Sequence, residues 1–127
     1  MLNDILKALT ENGFKASVFA NTDGLILASA KSGDVNDKVI AAMIALLSES
    51  AERAKEELNL ASEMVEMKIK YSDAAILCRQ LVINGKNFLL AAIAPPQENN
   101  EIEKYQDQLM QWAVDNGNAP LTKLTSL

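Results

Sequence analysis

The sequence predicts an α/β fold, an α+β sandwich in which a five-stranded, mostly antiparallel sheet carries helices on both faces. Helix-periodic and strand-like stretches follow one another in the order αββαβββα. Two turn signals, Asp23-Gly24 and Asn84-Gly85, favour hairpins and therefore antiparallel pairing. Several predicted strands are apolar on both faces, which is typical of strands that helices cover on both sides.

Composition limits the functions that this chain can have. With 127 residues the chain is expected to form one domain, and its net charge of −5 argues against a nucleic-acid partner. The longest apolar run, residues 39–47, is too short to span a bilayer, so no membrane insertion is expected. A single Cys and no secretory signal pattern favour a cytoplasmic location. Because histidine is absent, mechanisms that need an imidazole are excluded.

The N-terminal third predicts one helix and a hairpin. The apolar residues Leu2, Ile5, Leu6 and Leu9 recur at helical spacing, and Asn12-Gly13 predicts the end of that helix. Two strands are then expected, over residues 16–21 and 25–30, with the Asp23-Gly24 turn between them.

The stretch from Asp34 to Leu60 predicts a long second helix, because it contains no Gly or Pro. Asp34 or Asn36 is expected to cap its start, and Asn59 to end it. One apolar stripe is expected to face the sheet: Ile40, Ile44, Leu47, Ala51, Ala54 and Leu58. Further apolar residues lie beside that stripe: Val39, Ala42, Met43 and Leu46. Either this is a deeply buried core helix, or its additional apolar surface packs against a second subunit.

Three strands are predicted next. Residues 63–71 alternate strictly, with Val65, Met67, Ile69 and Tyr71 on one face and charged side chains on the other, as in an edge strand. Residues 74–83 and 88–94 are more apolar and join through Asn84-Gly85. The charged residues of the first strand are Glu66, Lys68 and Lys70.

A last helix is predicted to start at Asn100, which forms a capping-box variant with Glu103, and to end at Asn116-Gly117. Its apolar face is expected to be Ile102, Tyr105, Leu109 and Trp112, with the tryptophan in the core. The domain is therefore expected to span residues 1–117. Residues 118–127 are expected to form a loosely ordered tail, although its leucines, Leu121, Leu124 and Leu127, offer docking groups.

Three stretches resemble the Roadblock / dynein light chain family: VFANTDGLILASA, the Ala-rich helix after it, and MVEMKIKYSDAAILCRQLVINGKNFLLAAIAPP. The resemblance covers about residues 1–114. It implies a Longin-like, non-enzymatic domain without a cofactor that forms a homodimer or pairs with a related Roadblock subunit. In that family the long helix and the following strand pack against their own copies. The dimers act as platforms for, or regulators of, Ras-like small GTPases, in settings that include dynein light chains and scaffolds.

The residues themselves offer little chemistry. No phosphate-binding loop and no metal-ligand spacing occurs, and Cys78 is expected to be a small buried apolar group. Arg79 is either a contact for a partner or an acidic helix, or part of an exposed strand end. The expected dimer interface consists of Val39, Ala42, Met43, Leu46, Glu66, Lys68 and Lys70. The alternative function is a ligand- or signal-sensing domain of profilin-like topology, which a polar pocket between sheet and helix would favour.

Overall fold

The computed structural model describes residues 1–126, and within them the chain forms three helices and one five-stranded sheet. The elements are α1 (Leu2–Glu11), β1 (Ala16–Asn21), β2 (Ile26–Lys31), α2 (Asp37–Glu57), β3 (Glu66–Lys70), β4 (Ala75–Ile83), β5 (Lys86–Ala94) and α3 (Asn100–Thr125). Neighbouring strands are antiparallel throughout, in the order β2-β1-β5-β4-β3. The predicted fold class and element order are confirmed.

Both expected turns are present. Asn84 and Gly85 have φ angles of 52° and 77°, the left-handed pair that a two-residue hairpin between β4 and β5 requires. At the β1–β2 turn, the side-chain oxygen of Asn21 accepts hydrogen bonds from the backbone nitrogens of Asp23 and Leu25, at 2.9 and 3.0 Å. This side chain substitutes for backbone partners and fixes the turn locally.

Helices α1 and α3 cover one face of the sheet. The core beneath them is built from fully buried large side chains, chief among them Leu6, Leu9, Phe19, Leu90 and Met110. Because α1 packs on β1 and β2 while α3 packs on β4 and β5, the two helices share this face between them.

Helix α2 covers only part of the opposite face, where it packs against β1, β5 and β2. Ile40 and Ile44 insert into a second core with Val18 and Leu89, so the N-terminal half of the predicted sheet-facing stripe is confirmed. The end of the stripe is wrong, because Ala54 and Leu58 are exposed, whereas Leu47 and Ala51 are half-buried. Ala41 and Ser48, which were not predicted, are buried as well. The last turns of α2 are charged and solvated rather than packed on the sheet.

Capping residues set the helix starts. The Asn36 side chain accepts from the backbone nitrogens of Lys38 and Val39, at 3.1 and 3.4 Å, so Asn36 caps α2. Asn59, with a φ of 57°, follows the end of α2 as expected. For α3 the cap is Asn99, whose side chain accepts from the Ile102 nitrogen at 3.0 Å. The expected cap at Asn100 is therefore one residue off.

Helix α3 continues well beyond the expected end at Asn116-Gly117 and reaches Thr125. Gly117 stays helical because it allows α3 to lie directly on Phe19: a Cβ at this position would be only 2.9 Å from the end of the phenyl ring. Leu121 is fully buried one turn later and anchors the segment in spite of Pro120. The expectation of a loose tail is thus wrong for residues 118–125, and Leu127 lies outside the described residues.

The buried face of α3 also differs from the expected one. Trp112 is 41% exposed and Tyr105 is 48% exposed, so neither is a core residue. The buried stripe lies next to the predicted one and consists of Gln106, Met110, Ala113, Gly117 and Leu121. Small residues lie where helix and sheet approach most closely, and such residues carry a weak hydrophobic signal in a sequence.

Candidate interaction surface

The outer side of α2 carries exposed apolar residues. Val39 is 59% exposed and Leu46 is 65% exposed, and Ala42 lies exposed between them on the same stripe. Met43 differs from these three, because its side chain is half-buried and packs on the core beneath α2. Large apolar groups of this exposure along one helix stripe mark a surface that another molecule can cover.

The open half of the sheet continues this apolar surface. On β3, Met67 and Ile69 face the α2 side and are only half-buried. Val65 and Tyr71, just outside the strand, are 67% and 55% exposed. Because β3 is the last strand in the sheet order and pairs with β4 alone among the described strands, its outer backbone edge is open as well.

The charged residues of β3 point to the opposite face, toward α3. The Lys68 ammonium lies 3.0 Å from the Glu103 carboxylate and 3.2 Å from Asp107, and Lys70 lies 3.1 Å from Glu103. Glu66 pairs with Arg79, at 3.2 Å. Each of these side chains therefore has a partner inside the chain. Any contact of Glu66 or Lys70 with a second subunit in the expected dimer has to compete with that internal ion pair.

This ion-pair network shifts the pKa values of its members. Hydrogen bonds from Lys68 and Lys70 hold the pKa of Glu103 below its usual value. Burial lowers the pKa of Lys68, but hydrogen bonds to Glu103 and Asp107 outweigh burial and leave that pKa raised. The network ties the N-terminal half of α3 to the edge strand with charges.

Arg79 belongs to the same face of the sheet. Its Nη1 atom donates to the Gln111 side chain at 2.8 Å, in addition to the contact with Glu66. Arg79 was expected either to contact a partner or an acidic helix, or to be part of an exposed strand end. In the structure it contacts helix α3, although the residue that it contacts there is an amide and not an acid.

Cys78 is 2% exposed, and burial raises the pKa of its thiol to about 12. The expectation of a small buried apolar group is confirmed, since such a thiol is a poor nucleophile. Among residues 1–126, no three Asp, Glu or Cys side chains are grouped closely enough to hold a metal ion. No helix in that range is both long and apolar enough to cross a membrane.

A polar cavity of about 410 Å³ lies between α2, the β1–β2 turn and the β4–β5 hairpin. We call it the acidic hollow. Three carboxylates line it, together with uncharged polar side chains; the residues discussed below are Asp23, Glu49, Glu52, Ser48, Gln80 and Asn87. Sequence reasoning missed this site, because its residues come from separate segments and no local motif joins them.

Two grooves lie around the C-terminal part of α3, and the larger one adjoins the acidic hollow at Thr22 and Asn87. One, of about 280 Å³, is lined by Met1, Leu2, Leu27, Pro120 and Leu124 among others. The second, of about 460 Å³, shares Leu27 and Leu124 with it. Both exist only because α3 extends past Gly117.

Comparison with known proteins places the fold. The chain matches no protein-family profile, and its sequence matches no curated protein. Among solved structures, a Roadblock/LC7 domain from Streptomyces avermitilis superposes with a TM-score of 0.75 at 14% identity, covering 94% of this chain and 96% of that one. Myxococcus xanthus MglB superposes with a TM-score of 0.73, also at 14% identity, covering 98% and 94%.

Profilins are similar too, but less so. Acanthamoeba castellanii profilin IA gives a TM-score of 0.59 at 9% identity, covering 92% of this chain and 99% of that one. The scores of 0.75 and 0.73 for the Roadblock/LC7 domain and MglB agree with the family resemblance of the hairpin, the long helix and the three following strands. The chain therefore has the fold of the Roadblock/LC7 domains.

Proposed function

We propose that this chain is a dimeric, non-enzymatic scaffold or regulator that binds a Ras-like small GTPase in the cytoplasm. The observation that carries the proposal is the exposed apolar stripe of α2 beside the uncovered face and edge of β3. These are the two elements through which Roadblock domains are expected to pair. One solved MglB structure is described as having a tetrameric arrangement, which supports assembly as a property of this fold.

In the proposed dimer, Val39, Ala42 and Leu46 of each copy face the partner, with Met43 at the boundary between core and interface. The edge strands β3 align so that the two sheets become continuous. Burying two exposed leucine-sized side chains per copy contributes several kcal/mol, at about 1.5–3 kcal/mol for each side chain. This burial and the pairing of the two β3 edges oppose the entropy lost on association, and we expect the dimer to form at micromolar concentrations.

Leu46→Glu tests the dimer directly. Light scattering on the full chain should give twice 13.8 kDa for the wild type and a monomer for Leu46→Glu, with the same circular dichroism spectrum. Leu58→Glu is the matched control, since Leu58 lies on the same helix and is 67% exposed. It should leave the dimer intact. A monomeric wild type, or equal effects of both substitutions, would refute the interface.

Binding of the GTPase is tested by titrating the dimer with purified Ras-like GTPases, loaded with GDP or with a non-hydrolysable GTP analogue. Nucleotide-dependent binding is expected, and it should be lost together with the dimer in Leu46→Glu. Phosphate release with and without the chain then separates activation of hydrolysis from a scaffold role. Absence of binding to any such GTPase, with the dimer intact, would reject this part of the proposal alone.

The second candidate is a ligand- or signal-sensing domain of profilin-like topology. The acidic hollow favours it, because polar groups converge there between helix and sheet. Thermal shift with a library of small polar compounds that contain no guanidinium group distinguishes the two functions, since only the sensing domain should be stabilised by them without any protein partner.

A further inference from the structure

The acidic hollow has properties that a purely structural cavity does not need. Ser48 is 7% exposed and lines the hollow, yet its hydroxyl takes part in no hydrogen bond among the described residues. The Asn87 amide, which also lines it, is likewise without a partner in residues 1–126. The Ser48 hydroxyl is not sealed off from solvent, and the Asn87 side chain is only half-buried, so a ligand in the hollow can hydrogen-bond to both.

The charge of the hollow defines that ligand. Asp23, Glu49 and Glu52 contribute three carboxylates, and no lysine or arginine lines the cavity within the described range. Glu49 and Glu52 have nearby cations on α2, but the distances are 3.7 Å to Arg53 and 3.8 Å to Lys55, and the Glu49 pair is well exposed. Lys55 is committed elsewhere, at 2.6 Å from Glu63. The carboxylates of the hollow therefore outnumber the cations near them, which favours a positively charged ligand.

The size of the hollow and the positions of its carboxylates favour a guanidinium group over a metal ion as the cation. A cavity of about 410 Å³ is much larger than a bare metal ion, and its carboxylates are not clustered around one point. A guanidinium group distributes five N–H donors over a planar fork, is always charged and is weakly hydrated. It can therefore hydrogen-bond to more than one oxygen of the hollow at the same time.

We propose that the acidic hollow binds a guanidinium group, presented by an arginine side chain of a partner protein. Glu52 and Asp23 supply charge, and Ser48, Gln80 and Asn87 accept the remaining N–H groups. The site uses none of the residues of the dimer stripe, because it lies where the β1–β2 turn and the β4–β5 hairpin meet α2.

The test is an NMR titration of the ¹⁵N-labelled full chain with Nα-acetyl-arginine methylamide, at constant pH and ionic strength. Saturable shifts are expected at Ser48, Gln80 and Asn87, with a dissociation constant on the order of millimolar for this single residue. The citrulline analogue has the same shape without the charge and should cause none of them. Equal shifts with citrulline, or shifts that do not saturate, would overturn the proposal.

Substitutions inside and outside the acidic hollow test whether the arginine compound binds there. Glu52→Gln should weaken binding about threefold, the effect of one partly solvated charge pair, and Ser48→Ala should also weaken it. Glu57→Gln removes the same charge from an exposed position of the same helix, outside the hollow, and should leave the affinity unchanged. Equal losses in Glu52→Gln and Glu57→Gln would reduce the effect to general attraction by an acidic surface and would refute the site.

The source of the guanidinium is distinguished in the same experiment. If the guanidinium group belongs to an arginine side chain of a partner protein, a Gly-Gly-Arg-Gly-Gly peptide should bind at least as tightly as the capped amino acid. Free arginine should then gain nothing over the capped amino acid, because its α-ammonium and α-carboxylate groups together add no net charge. Tighter binding of free arginine would keep the guanidinium site but overturn its assignment to a partner protein.

Discussion

Gly117→Ala measures how closely α3 lies on the sheet. In most helix interiors this substitution raises the free energy of unfolding by about 1 kcal/mol, because alanine has the higher helix propensity. Here the added Cβ would lie 2.9 Å from Cζ and 3.2 Å from Cε1 of Phe19. Contacts below 3.0 Å do not persist, and Phe19 is fully buried, so its ring has no free space to move into.

Forcing an extra methyl group into a packed core costs about 1–3 kcal/mol. The cost outweighs the propensity gain, and Gly117→Ala should lower the free energy of unfolding by about 1 kcal/mol, against the rise of about 1 kcal/mol expected for an open helix position. Asn118→Ala, at the exposed neighbouring position, is the control and should be neutral or slightly stabilising. Urea unfolding followed by circular dichroism, at one fixed protein concentration, gives both values.

A double-mutant cycle with Phe19→Leu isolates the contact. Leucine removes the far end of the ring, so Gly117→Ala should become neutral or stabilising in that background, with a coupling energy of about 1 kcal/mol or more. If Gly117→Ala stabilises the wild type by about 1 kcal/mol, or if the two substitutions are additive, then α3 does not rest on Phe19 and the explanation of its length fails.

Three further substitutions test the ends and the charges of α3. Asn99→Ala should cost about 1 kcal/mol of stability because it removes the side-chain cap, whereas Asn100→Ala should cost almost nothing; urea unfolding compares them. Leu121→Ala should cost about 2–5 kcal/mol in the same assay, and far more than Leu124→Ala, since Leu124 is 44% exposed. Because the pKa of Glu103 is lowered in the folded state, its contribution is fully present above the ordinary value of 4.5 and is lost as the pH falls through the lowered pKa. Melting temperatures measured from neutral to acidic pH should therefore fall less steeply for Glu103→Gln than for wild type, while Glu101→Gln should follow the wild type.

The order of the elements was predictable because its signals are local. Alternation in residues 63–71, the Asn84-Gly85 turn and the Gly-free stretch of α2 each need only a few neighbouring residues to be recognised. The same local reasoning failed at Gly117. A glycine after an asparagine normally ends a helix, but this one is set by contact with Phe19, which lies almost the whole chain away.

The candidate sites also divide into those that local sequence signals predict and those that they do not. The exposed stripe of α2 was recognisable, because an excess of apolar residues shows in the sequence of a single helix. The face of β3 to which the Lys68 and Lys70 side chains point could not be recognised from the sequence, since it depends on which face of the sheet α3 covers. The acidic hollow depends on the β1–β2 turn, the β4–β5 hairpin and α2 meeting in space, and no spacing rule within one segment describes it.

The edge strand β3 also bears on aggregation. An open strand with Met67 and Ile69 half-exposed on one face is a template for uncontrolled strand addition. Lys68 and Lys70 interrupt that template at alternate positions, and Glu103 holds both of them in place. These lysines therefore act as gatekeepers that discourage the extension of β3 into a fibril, and they do so from the face of the strand opposite the proposed dimer surface.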